Sequence, residues 1–97
     1  MTVDLPRHRL LVEADAHPGA LLRLLEPFAI HEVQPIRLRV DGPADGRIDP
    51  FEPAAMHAEI AFAAPEEVAE RLRARIDAMV PVRAARLVST TAVEAAA

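Results

Sequence analysis

Between His8 and Val40 the hydrophobic period changes from two residues to 3.6 and back to two. Residues 8 to 14 alternate, with Leu10 and Val12 on one side and Arg9, Leu11 and Glu13 on the other, the pattern of a strand with one buried face. The run stops at Asp15-Ala16-His17-Pro18-Gly19. Pro18 and Gly19 stand where a helix starts, and Leu21, Leu24, Leu25 and Phe28 follow at i, i+3, i+4 and i+7, so Ala20–His31 is predicted to be a helix with one buried stripe. Pro27 removes one helical hydrogen bond and crowds the carbonyl of Arg23, which should kink or tighten the last turn. From Gln34 to Asp41 the alternation is strict, with Ile36, Leu38 and Val40 inward and Arg37, Arg39 and Asp41 outward.

The same order then recurs. Residues 42–54 hold three prolines and two glycines, which deny both helix and ladder and predict a long loop with Ile48 and Phe51 near its tip. Those two side chains are expected to pack on the open sheet face of the same chain or on a second subunit. Met56, Ala58, Ile60 and Phe62 alternate with His57, Glu59 and Ala61 as a third strand. Pro65, Glu66 and Glu67 then form a first helical turn, with Val68, Leu72, Ile76 and Met79 as its buried stripe. Residues 81–88 read as a fourth strand of unsettled parity, and Ser89 to Ala97 as a frayed tail. Two right-handed strand-helix-strand units of this kind lie side by side as one sheet, so the fold class predicted is α+β, a ferredoxin-like βαββαβ arrangement. A four-stranded antiparallel sheet would carry both helices on one face. The other face would carry Arg9, Glu13, Arg37, Arg39, His57 and Glu59, most simply as a solvated surface, with free edge strands that suit a homodimer.

A chain of 97 residues suits a single domain, here 1–97 with a core of about 7–88. Its chemical inventory is narrow: Lys, Tyr, Trp, Cys and Asn are absent, all 11 basic side chains are Arg, and Gln34 and Ser89 stand alone in their types. Schiff-base, thiol and phenol catalysis are excluded for the chain acting by itself. A net charge of -4 disfavours nucleic acid and anionic membranes, and no apolar run of membrane-spanning length occurs. The lack of cysteine suits a reducing compartment, so a cytoplasmic location is expected.

The segments Leu10–Ala14, His17-Pro18-Gly19-Ala20-Leu21-Leu22-Arg23-Leu24-Leu25 and Pro27-Phe28-Ala29 resemble the opening of ACT domains. Arg75-Ile76-Asp77-Ala78-Met79-Val80-Pro81-Val82 resembles their closing helix-to-strand step, and the similarity spans about Arg7 to Val88. The size and layout are also similar to those of small regulatory subunits such as that of acetolactate synthase. The resemblance implies a non-catalytic regulatory module of amino-acid metabolism that binds an amino acid or other small effector, usually at a dimer interface. The implied binding residues are Asp15, His17, Gly19, Ala20 and Leu21. Physically, the amides of Gly19, Ala20 and Leu21 are orphan donors at the positive end of a helix, where a carboxylate is favoured, and Gly19 leaves the backbone approachable. Ligand-binding ACT domains typically carry Asn or Asp at the position of Ala16, and here Asp15 is one residue earlier. The plain alternative is a helix start capped by His17 or Asp15.

Other constellations are weaker. His8, His17, His31 and His57 have no partner at metal-ligand spacing, and His8 with His57 would make a site only if neighbouring strands brought them to one face, so no metal and no cofactor are expected. His17 or His57 oriented by Asp15 or Glu59 would be the general base of an enzyme, but nothing in the spacing demands it and the chain is read as no enzyme. RNA binding needs aromatic rings on the middle strands, and Phe28 and Phe62 take core parity. The alternative to an effector-binding module is a ligand-free interaction subunit that assembles with a larger catalytic protein.

Overall fold

The computed structural model describes residues 4–89. Ser89 closes the last strand, and the rest of the predicted tail lies outside the described residues. The elements are β1 (Arg7–Asp15), α1 (Ala20–Ile30), β2 (Pro35–Asp41), β3 (Ala55–Ala63), α2 (Glu66–Asp77) and β4 (Val82–Ser89). The strands pair antiparallel in the order β2-β3-β1-β4. This is the ferredoxin-like βαββαβ fold, and the alternating patterns of β1 and β3 locate its buried face correctly.

One face of β1 and β3 supplies Leu10, Val12, Ala14, Met56, Ala58, Ile60 and Phe62 to a single core completed by Leu24 and Phe28 of α1 and Leu72 and Ile76 of α2. Phe28 meets Phe62 edge to face, with ring centroids 5.2 Å apart and planes at 82°. That geometry contributes about 0.5–1.5 kcal/mol beyond the burial of the rings themselves. His8 belongs to the same face, 2% exposed, with its Nε2 3.0 Å from the Ala64 carbonyl. Its Nδ1 is buried without a hydrogen-bond partner among the described residues.

Helix α1 continues through Pro27 to Ile30 and ends in a Schellman motif. Glu32 takes the left-handed conformation at φ 56°, its N–H donates to Ala29 O at 3.1 Å, and the Val33 N–H donates to Phe28 O at 2.8 Å. Val33 packs back on the core, so the cap also fixes where the chain turns toward β2.

Two strands depart from simple alternation, each through a shift in register. In β2, Leu38 lies opposite Ile60 and Val40 opposite Ala58, so both share the helix-side face, but Ile36 falls at the shift between Pro35 and Arg37. The expectation that Ile36, Leu38 and Val40 are buried is corrected: they are 57%, 40% and 37% exposed. The physical reason is width: α2 packs along β4, the buried helix residues join the core of β1 and β3, and among the described residues neither helix extends over the β2 edge. In β4, Glu13 faces Ala84 while Ala14 faces Val82, which leaves Arg83 as the extra residue. Ala85 and Leu87 lie on the core side, opposite Val12 and Leu10.

Candidate functional site

The turn from β1 into α1 is held from three directions. The Ala16 N–H donates to Ala54 O at 2.8 Å, tying the turn to the end of the 42–54 loop, and the Asp15 N–H donates to Pro81 O at 2.8 Å. Arg83, pushed out of the β4 ladder, donates from Nε to Asp15 Oδ1 at 2.7 Å and from a terminal nitrogen to Pro53 O at 2.7 Å. Of the implied binding residues, Asp15 is therefore engaged by the protein's own guanidinium. Arg83 was not singled out in the sequence, because a bulge residue carries no periodic signal.

The loop itself is ordered by its aspartates. Asp45 Oδ1 accepts the Arg47 N–H at 3.0 Å, and Asp49 Oδ1 accepts the N–H groups of Phe51 and Glu52 at 2.8 and 3.2 Å. These are Asx turns, in which a carboxylate replaces the backbone acceptor a ladder would have supplied. Phe51 is 91% exposed and so does not pack on the same chain, while Ile48 is 52% exposed. Ile48 instead helps to line a small cavity of about 160 Å³ between the loop and the turn, together with Ala16, His17, Pro18, Arg47 and Met56.

At the start of α1 the Ala20 N–H turns back to His17 O at 3.1 Å. The first amide with an acceptor after it is Arg23, donating to Gly19 O at 3.3 Å. The N–H groups of Gly19, Leu21 and Leu22 have no acceptor among the described residues, and no side chain caps the helix. Gly19 itself sits at φ -88°, ψ -7°, open to any residue. A Cβ built there would meet nothing closer than the His17 ring at 3.8 Å. Neither conformation nor packing asks for glycine here.

The other candidates are dispersed. His8 and His57 lie on opposite sheet faces, His8 opposite Phe62 and His57 opposite Glu13. Among the described residues no three His, Cys, Asp or Glu side chains gather where a metal would sit. Glu59 pairs with Arg9 at 2.9 Å, and His57 stands 4.0 Å from Glu13. The aromatic rings are placed in the core at Phe28 and Phe62 and on the loop at Phe51, so the open sheet face carries none among the described residues. No described helix is long and apolar enough to cross a membrane.

No protein-family model matches this chain, and no curated protein sequence matches it. The chain is similar to solved structures, among them the following two. The solution structure of the C-terminal domain of the MgtC protein from Mycobacterium tuberculosis superposes with a TM-score of 0.66 at 14% identity, over 94% of each chain. The crystal structure of an unknown protein from Galdieria sulphuraria gives a TM-score of 0.65 at 17% identity, over 92% of this chain and 52% of that one. These likenesses show the fold. This chain spans about half the length of the second neighbour, with 52% of it covered.

Proposed function

We propose that this chain is a non-catalytic, ACT-like regulatory module that binds a small molecule, an amino acid in the first instance, at the β1–α1 turn. It acts as a cytoplasmic homodimer beside an enzyme of amino-acid metabolism. The observation that carries the reading is the set of unsatisfied amides at Gly19, Leu21 and Leu22, presented at the positive end of an 11-residue helix. A carboxylate takes such donors without any reactive side chain, which suits a chain so short of nucleophiles. The neighbouring cavity, lined by Ala16, Pro18, Ile48 and Met56, is of a size for one small apolar side chain.

A second reading, a ligand-free subunit that assembles with a larger catalytic protein, is favoured by the uncovered apolar side of β2. Thermal unfolding across the amino acids separates the two. An effector present at about 100 times its Kd stabilises by roughly 2.7 kcal/mol. Gly19→Ala should fold normally, since the added methyl meets only the His17 ring at 3.8 Å, yet lose the response at least tenfold. A flat screen on the wild-type chain removes the effector reading and leaves the assembly subunit.

A further inference from the structure

Phe51, 91% exposed on the loop between β2 and β3, does not sit on a slack segment. The Asp49 carboxylate accepts the N–H groups of both Phe51 and Glu52, and Pro50 and Pro53 preset φ on either side. The return end of the loop is pinned where Arg83 donates to Pro53 O at 2.7 Å and the Ala16 N–H donates to Ala54 O at 2.8 Å. An aromatic ring held in water on an ordered backbone loses little freedom when a surface closes on it, which is what an anchor residue requires. Glu52, beside it, is exposed and has no ion pair among the described residues.

A surface of matching chemistry lies at the other end of the sheet. Arg9 of β1 and Arg37 of β2 both lie opposite Ala61 of β3, and these three, with Ile36, Glu59 and Phe62, line a depression of about 260 Å³. Glu59 accepts from Arg9 at 2.9 Å. Arg37 has no ion pair among the described residues, since Asp41 on its own strand is bound by Arg39 at 3.3 Å. The depression therefore joins an apolar lining to one unanswered cation, the complement of a ring with a carboxylate next to it. Phe51 does not reach it within its own chain. The strand rise puts Ala61 about 20 Å from Ala55, where the loop re-enters the sheet, whereas the backbone from Phe51 to the pinned Ala54 spans at most about 10 Å.

We propose that Phe51 of each copy seats in this depression of a second copy, with Glu52 against the partner's Arg37. The inference rests on the homodimer reading and supplies the contact that closes it. A two-fold axis that sets the strands of two copies antiparallel brings the loop end of each toward the depression of the other, so both contacts form at once and assembly stops at two. Ile36 and Arg37 belong to β2, the strand whose apolar side is uncovered, so the depression is continuous with that edge. On docking, the benzyl group leaves water for Ile36 and Ala61. Arg37 gains a carboxylate that its own chain does not bring to it.

The test is sedimentation velocity of the full chain over a concentration series, with charges exchanged between the two surfaces. Phe51→Asp is expected to raise the dimer Kd about tenfold or more, with an unchanged circular dichroism spectrum, because the side chain it replaces is exposed. Glu52→Arg and Arg37→Glu should each weaken pairing. An equimolar mixture of those two variants should recover it, since each loop then meets a depression of opposite charge, and a chain carrying both substitutions should recover it likewise. A wild type that is a monomer at about 100 µM removes the homodimer and this contact together. A dimeric wild type overturns the contact alone if Phe51→Asp pairs as tightly, or if neither the mixture nor the double variant recovers what the single substitutions lose.

Discussion

Glu32 stands at φ 56°, where a residue with a Cβ is held at a cost of roughly 1–2 kcal/mol. The Schellman bonds of Glu32 and Val33 and the packing of Val33 on the core hold it there. Glycine at this position removes the strain and returns part of the gain as extra freedom of the unfolded chain. Glu32→Gly is therefore expected to stabilise by about 0.5–1 kcal/mol and to raise the melting temperature by a few degrees, measured by calorimetry. An unchanged or lowered value would mean that the exposed carboxylate contributes more than the backbone loses. No sequence signal marks Glu32, because glycine, the usual sign of this cap, is absent. The residues of the turn are different: Pro18 and Gly19 announce a helix start in the sequence itself, while the latch from Arg83 to Asp15 joins residues 68 apart and is visible only in three dimensions.

Elements were legible where a single face is buried against neighbours on both sides. β1 and β3, the central strands, alternate in sequence and in burial together. β2 alternates just as strictly and is exposed, since periodicity reports which face a side chain takes and is silent on whether anything covers it. β4 could not be assigned a parity because the extra residue at Arg83 reverses it within the strand. On α2 the charged surface behaves as an isolated helix would. Arg73 donates to Glu70 at 2.8 Å and stands 3.9 Å from Asp77. The hydrogen bond from Arg73 holds the Glu70 carboxyl below its ordinary range, with partial burial opposing it and the charge of Arg73 assisting. A lowered value in the folded chain means that the pair contributes stability above the ordinary glutamate value and loses it as the pH falls through the lower, folded value. Arg73→Met should raise the Glu70 midpoint in a carboxyl-detected NMR titration. The stability difference between the two chains should vanish in acid, and a difference that persisted there would assign it to lost packing of the Arg73 stem instead.

At the scale of the molecule, the two helices, of 11 and 12 residues, leave the β2 side of the sheet uncovered among the described residues. The opposite edge has no such deficit: α2 packs along β4, and Ala85 and Leu87 join the core. An open edge with Leu38 and Val40 beside it offers unpaired backbone groups and apolar area at once, the two things a second copy supplies in one operation. The proposed homodimer therefore places β2 at its interface, and a charge there reports on it. In a lone chain Leu38→Arg replaces a side chain already 40% exposed, so it should leave folding within about 0.5 kcal/mol. In the dimer it buries an unpaired cation, and sedimentation velocity should show the wild type as a dimer and the variant as a monomer. The melting temperature of the wild type should rise with concentration and that of Leu38→Arg should not. Val80→Arg is the control, since Val80 is 98% exposed in the α2–β4 turn and far from the β2 edge in the strand order. Dissociation by both substitutions would move the interface off β2, and a wild type that sediments as a monomer at about 100 µM, where a Kd of 1 µM would leave it almost wholly paired, would remove the homodimer altogether.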